Sequence, residues 1–144
     1  MVFNSDDPSN VKNDQNIFTI IRLYFNVSRL KDLFRQGWLN HGIPKESCET
    51  VGEHIFSTTF LSMLICDHAY SHLDREKVMM MSLLHDIGEI YAGDIIPGDG
   101  ITNDEKINLE RDSFLRVFHN FKNAQEYYDL WEEYVLQKSP EAIF

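Results

Sequence analysis

An all-α fold is what this sequence predicts. Apolar residues recur at three- and four-residue steps in several separate stretches, Thr-x-x-Glu precedes two of them, and no stretch sustains the alternation of a strand. The elements follow in order. Asn4 to Asn16 is dominated by Asn, Asp and Ser, so residues 1–15 are expected to be a disordered tail ahead of one domain over 16–144. Ile17, Ile20, Ile21, Tyr24, Val27, Leu30 and Phe34 predict a first amphipathic helix that ends at Arg35-Gln36-Gly37-Trp38. An ordered loop over 39–49, with Gly42, Pro44 and Ser47, comes next.

Thr50-Val51-Gly52-Glu53 has capping-box spacing and starts a second helix. Phe56, Phe60, Met63 and Leu64 project on one side of it and His54, Thr58, Leu61 and Ile65 on another, so it is expected to be central. Asp74 caps a third helix, whose run from Val78 to Leu84 reads as buried and leads into His85 and Asp86. After a loop with Gly93, Pro97, Gly98 and Gly100, Thr102 to Glu105 repeats the capping box ahead of Ile107, Phe114, Leu115 and Phe118. Tyr127, Leu130, Trp131, Tyr134 and Val135 mark a fifth helix. Ser139-Pro140-Glu141 then announces another, of which only Ala142, Ile143 and Phe144 are present, so the chain is expected to stop short of its folding unit.

With 144 residues the chain supports one core, and 13 Lys and Arg against 23 Asp and Glu oppose a broad nucleic-acid footprint. A local basic spot for one phosphate stays open. No apolar run approaches the roughly 18 residues of a membrane span. Only Cys48 and Cys66 occur, too few for a disulfide scaffold, so a cytoplasmic setting is expected.

His54 and the pair His85-Asp86 stand out because they fall on helices read as interior, where imidazole or carboxylate requires a strong partner. A divalent metal would be one; a hydrogen-bonded core histidine beside a helix-end Asp is the bland alternative. Glu89 would lie over the same face if the helix continued through Gly88, and could handle a proton; a plain His to Glu contact is its alternative. Asp94 reads as a second pocket acid or as a turn residue. His68 and His72 are spaced for one metal but sit at a helix end without the Glu of a zincin, and Met79 to Met81 reads as core. Neither a Walker loop nor a Gly-x-Ser-x-Gly elbow occurs.

His54, His85-Asp86-Ile87-Gly88-Glu89 and Tyr91-Ala92-Gly93-Asp94-Ile95 together resemble the HD-domain metal-dependent phosphohydrolases. Arg35-x-Gly37-Trp38-Leu39, Glu49 to His54 and Trp131-Glu132-Glu133-Tyr134 are similar to the 5'-deoxynucleotidase subgroup. The resemblance implies a helical bundle of about five helices here, with the family's last helices missing. It implies a divalent cation such as Mn, Co or Zn held by His54, His85 and Asp86, with Glu89 as acid/base residue and Asp94 as a second active-site carboxylate. Arg35 would bind the phosphate and Trp38 would pack the sugar or base; the alternatives are that Arg35 meets the carbonyl end of the first helix and that Trp38 plugs the core under the loop. The implied substrate is a 2'-deoxynucleoside 5'-monophosphate, with no nucleic-acid polymer and no membrane as partner, and the implied assembly is a homodimer.

Two departures accompany the resemblance. His41 stands where the family usually has an Arg, in a loop about two residues longer, and the chain ends before the family's final Asp ligand. Two other readings therefore stand beside the hydrolase: an impaired remnant that binds nucleotide, metal or a partner, and a cyclic-nucleotide or oligonucleotide phosphodiesterase.

Overall fold

Helix α1, Pro8–Ser28, is the first element of a computed structural model that describes residues 8–144. After a 3-10 turn at Arg29–Lys31 come α2 (Gln36–Asn40), a 3-10 turn at Lys45–Ser47, α3 (Val51–Ala69) and α4 (Arg75–Leu84). The short α5 (Glu89–Ala92) is followed by α6 (Asn103–Val117), α7 (Ala124–Val135) and α8 (Pro140–Ile143). The long helices α1, α3, α4, α6 and α7 are the ones the apolar spacing predicts. α1 begins inside the expected tail, since adding a residue to an existing helix needs no new nucleus; residues 1–7 of that stretch lie outside the described residues.

Every N-cap read from the sequence is present. Thr50 Oγ1 accepts from the Glu53 N–H at 3.2 Å while Glu53 Oε2 accepts from the Thr50 N–H at 2.8 Å. Thr102 and Glu105 repeat this at 3.3 and 2.8 Å. Asp74 accepts from the Lys77 N–H and Ser139 from the Ala142 N–H, each at 3.2 Å.

The first helix ends earlier than its apolar spacing predicts. The Ser28 hydroxyl donates to the Tyr24 carbonyl, the 3-10 turn tightens the chain, and the Leu33 to Arg35 stretch leaves the helix to pair with Glu49 to Val51. Val51 N–H donates to the Leu33 carbonyl at 2.7 Å and Arg35 N–H to the Glu49 carbonyl at 3.1 Å. This small antiparallel contact carries Arg35 to the start of α3. Between its two sides lie α2, which runs two residues into the loop expected over 39–49, and the second 3-10 turn within that loop.

Leu30, Val51, Ile55, Leu84, Ile87, Ile90, Phe114, Val117, Phe118 and Trp131 form the main core. Phe114 stands at its centre, with its ring 5.3 Å from Trp131 and 4.8 Å from Phe118. α3 lies against α4, and α5 against α6. The expectation that α3 is central needs correction: Phe56 is 71% exposed, and Phe60, Leu61 and Leu64 are open on the same helix. Apolar spacing identifies faces that avoid water, and nothing among the described residues covers this one.

Candidate active site

The site is assembled where α3, the end of α4 and α5 converge beside the Leu33 to Arg35 contact. α4 gives way after Leu84 to tight turns, in which the Ile87 N–H returns to the Leu84 carbonyl and the Glu89 N–H to the Asp86 carbonyl. The helix therefore does not continue regularly from His85 to Glu89, as the spacing argument for Glu89 supposes. Gly88 is required for another reason: a Cβ there would meet the Glu110 carbonyl oxygen at 2.8 Å and Glu110 Cβ at 2.9 Å. A bare backbone lets α6 approach and sets the place of α5.

His54, His85 and Asp86 each offer a ligand atom, and these atoms lie within 4.8 Å of one another. Asp86 Oδ2 is 3.0 Å from His85 Nε2 and 3.6 Å from His54 Nε2. The other ring nitrogens are engaged. His85 Nδ1 is 2.7 Å from the Ser82 carbonyl oxygen, which makes Nδ1 the donor and turns Nε2 toward Asp86. His54 Nδ1 lies 3.3 Å from Glu49 Oε1, so a carboxylate orients that ring with Nε2 toward Asp86. Two imidazoles braced from behind, with a carboxylate between them, fit a divalent first-row cation once each Nε2 is unprotonated.

Electrostatics follow from burial. Desolvation and the nearby Arg35 charge push the His54 pKa down. For His85 burial also opposes the charged form, but its hydrogen bond and attraction to Asp86 prevail and raise the pKa. Asp86 is held below the usual carboxylate range, because the pull of His85, His54 and Arg35 outweighs the opposing effect of burial. Glu89 is 3% exposed, its Oε2 has no hydrogen-bond partner, and burial with Asp86, Asp94 and Glu110 nearby pushes its pKa up to about 9. In the absence of a cation it is a neutral acid at pH 7.

Arg35 reaches into this group, with Nη1 3.4 Å from Asp86 and Nε 4.0 Å from Asp94. It does not serve the carbonyl end of the first helix. Asp94 is buried and accepts a hydrogen bond from the Gln36 N–H, so it is more than a turn residue. Trp38 stands apart at 41% exposure, lining a shallow pocket with Gly37, His41 and Ile43; it does not plug the core. His68 and His72 join no group of potential ligands among the described residues.

Three contributors escape the sequence argument. Glu49 enters the sequence reading only as the first residue of the Glu49 to His54 match, with no role assigned to it. Trp131 reads as core, yet its indole N–H donates to the His85 carbonyl at 3.3 Å. Glu110 was legible in principle, because it shares the inward face of α6 with Ile107, Phe114 and Val117; it is buried, and its pKa is raised chiefly by that burial.

A family model described as "HD domain" matches residues 27–144, and the His-Asp pair lies at the centre of the site. The chain belongs to the HD domain family. Among relatives of this HD domain, the 5'-deoxynucleotidase HDDC2 of Dictyostelium discoideum is 34% identical over 128 residues, 83% of this chain and 66% of that protein. The Homo sapiens protein of the same name is 32% identical over 120 residues, 82% of this chain and 56% of that one. The chain thus spans a little over half to two thirds of these relatives. A Pyrococcus horikoshii crystal structure superimposes with a TM-score of 0.72 at 31% identity, covering 85% of this chain and 67% of that one. A protein of Magnetospirillum magnetotacticum, named as a predicted metal-dependent phosphohydrolase, gives 0.71 at 27% identity, covering 88% and 64%.

Proposed function

We propose that this HD domain removes the phosphate from 2'-deoxynucleoside 5'-monophosphates with the help of a divalent cation. The observation that carries the reading is the convergence of His54, His85 and Asp86 within 4.8 Å, faced by Arg35 and backed by two buried carboxyl groups. The enzyme names of the relatives favour hydrolysis over the remnant reading.

His54, His85 and Asp86 would hold the cation, of the Mn, Co or Zn kind. When bound, such an ion supplies Lewis acidity, which acidifies water and withdraws charge from phosphate oxygens. Arg35 receives the phosphate by charge-assisted hydrogen bonds, exchanging its contacts to Asp86 and Asp94 for the substrate. Asp94, fixed by the Gln36 N–H, orients the attacking water. Glu89, buried beside Asp86 and Asp94, delivers a proton to the departing 5' oxygen and recovers one from the attacking water. Trp38 and Ile43 give the sugar or base an apolar wall.

The protein acts in the cytoplasm, consistent with its two buried free thiols, Cys48 and Cys66. No helix among the described residues is long and apolar enough to cross a membrane. It works as a homodimer, supported by the open apolar surfaces of α1 and α3. A phosphate-release panel tests the activity. Deoxynucleoside 5'-monophosphates should be cleaved in preference to cyclic and oligomeric phosphates with added Mn, Co or Zn, and Arg35→Ala should raise KM. Preferential cleavage of the diesters would replace this reading with the phosphodiesterase.

A further inference from the structure

A second cationic pocket lies on the other side of α5. Glu89 and Tyr91 are two residues apart, roughly 200° around a helix, so Tyr91 points away from the catalytic carboxylates. Its ring has the Arg116 guanidinium carbon 4.0 Å and the Arg29 guanidinium carbon 4.8 Å from its centroid. Arg22 from α1 reaches the same region, donating from Nη2 to the His119 carbonyl at 3.2 Å. Arg22, Asn26, Tyr91, Leu115, Arg116 and His119 line a pocket of ≈ 510 Å³.

The charges here are unmatched. The chain has a formal net charge of -10, yet two of its six arginines line this pocket and a third, Arg29, stacks on its Tyr91. Among the described residues, arginine ion pairs are made by Arg35 and Arg75, whereas Arg22, Arg29 and Arg116 make none. Asp32 and Asp112, the acids next in sequence to Arg29 and Arg116, do not pair with them. Stacking on Tyr91 orients the guanidinium groups of Arg29 and Arg116 and leaves their N–H edges available for an acceptor. Asn26 adds an amide donor, and Leu115 an apolar wall that shields one side from water.

We propose that this pocket binds a small phosphate-bearing anion at a site separate from the catalytic one. Planar guanidinium forks from α1 and α6 match the oxygens of a phosphate, and a bound anion would bridge the two helices beside α5. Inorganic pyrophosphate is the probe, because it needs no cleavage to be detected and tests charge and geometry without a base. The assignment is independent of the hydrolase reading.

Calorimetric titration of pyrophosphate into chelator-treated protein at low ionic strength should give saturable binding. Arg22→Ala/Arg116→Ala should weaken it by at least about tenfold. Leu115→Glu, an exposed position that places a carboxylate beside the arginines without removing them, should weaken it similarly while the circular dichroism and melting temperature stay unchanged. Arg35→Ala should leave it intact, and citrate at matched ionic strength should bind more weakly. Absence of saturable binding, wild-type affinity in both pocket variants, loss of binding in Arg35→Ala or equal affinity for citrate would each overturn the site.

Discussion

The indole N–H of Trp131 donates to the carbonyl of His85 at 3.3 Å, joining the centre of the core to the residue that begins the His-Asp pair. Trp131 is fully buried against Phe114, so the aromatic cluster of α6 and α7 holds the end of α4 in place. Trp131→Phe keeps most of the apolar packing but leaves a carbonyl without its donor. It should cost about 1–3 kcal/mol of stability, with weaker binding of Mn or Zn. Denaturant unfolding and metal titration measure both; wild-type values for the two would remove this link between core and site.

Glu89→Gln should separate stability from chemistry. Because the folded pKa is about 9 against an ordinary 4.5, the folded state retains a proton that the unfolded state has lost throughout that window. The resulting stabilisation is fully present below pH 4.5 and is lost as pH rises toward 9, at about 1.4 kcal/mol per pH unit. The metal-free Gln variant should therefore lose much of the wild-type fall in stability between pH 6 and pH 8. With metal and substrate it should lose about 10²–10⁴-fold in kcat if Glu89 supplies the proton. Parallel pH–stability curves for the two proteins would show that Glu89 titrates like a solvent-exposed carboxylate.

The capping boxes at Thr50 and Thr102 were legible because a cap is a local device, satisfied by residues three apart whatever the rest of the chain does. His54, His85 and Asp86 were legible as polar groups on apolar helices, an expensive placement without partners. The Leu33 to Arg35 contact with Glu49 to Val51 was not, because it depends on two segments meeting across a loop. Trp131 carried an unreadable second role, since apolar periodicity does not reveal where an indole N–H points. The open face of α3 marks the same limit: spacing identifies an apolar surface but not what lies against it.

His85→Ala should abolish stoichiometric retention of a divalent transition metal, measured by elemental analysis after gel filtration. In the wild type, metal affinity should fall as pH drops through the histidine range, because ligation requires unprotonated nitrogen. His85 is the stronger proton competitor, since Asp86 overcomes burial and raises its pKa, while burial and Arg35 lower that of His54. Equal metal content in wild type and variant would remove His85 from the coordination set.

The exposed Phe56 and Phe60 rings are stacked 6.4 Å apart on α3, a contiguous apolar surface suited to a second copy. Phe56→Glu/Phe60→Glu should convert the proposed dimer to monomer with little change in helix content, because neither ring belongs to the core. Sedimentation velocity across a concentration series measures this. A monomeric wild type, or a double variant that still dimerises, would count against α3 as the interface.

Gly88→Ala is the sharpest test of how the fold places Glu89, the proposed proton donor. The Gly88 backbone is already helical, with φ -58° and ψ -24°, so the substitution carries no dihedral strain and would stabilise an open helix slightly. Here the added methyl would lie 2.8 Å from the Glu110 carbonyl oxygen, and backbone cannot yield as a flexible side chain does. α5 must move away from α6, opening the Tyr91 N–H contact to Ser113 Oγ, now 3.1 Å, and displacing Glu89 from the other carboxylates. Stability should fall by about 1–3 kcal/mol, and kcat should fall with it under conditions where the variant remains folded. The raised Glu89 pKa should move back toward the ordinary carboxylate range as the group gains water. A variant as stable as wild type, with an unchanged pH profile, would show that α6 gives way instead and that Gly88 does not set the position of α5.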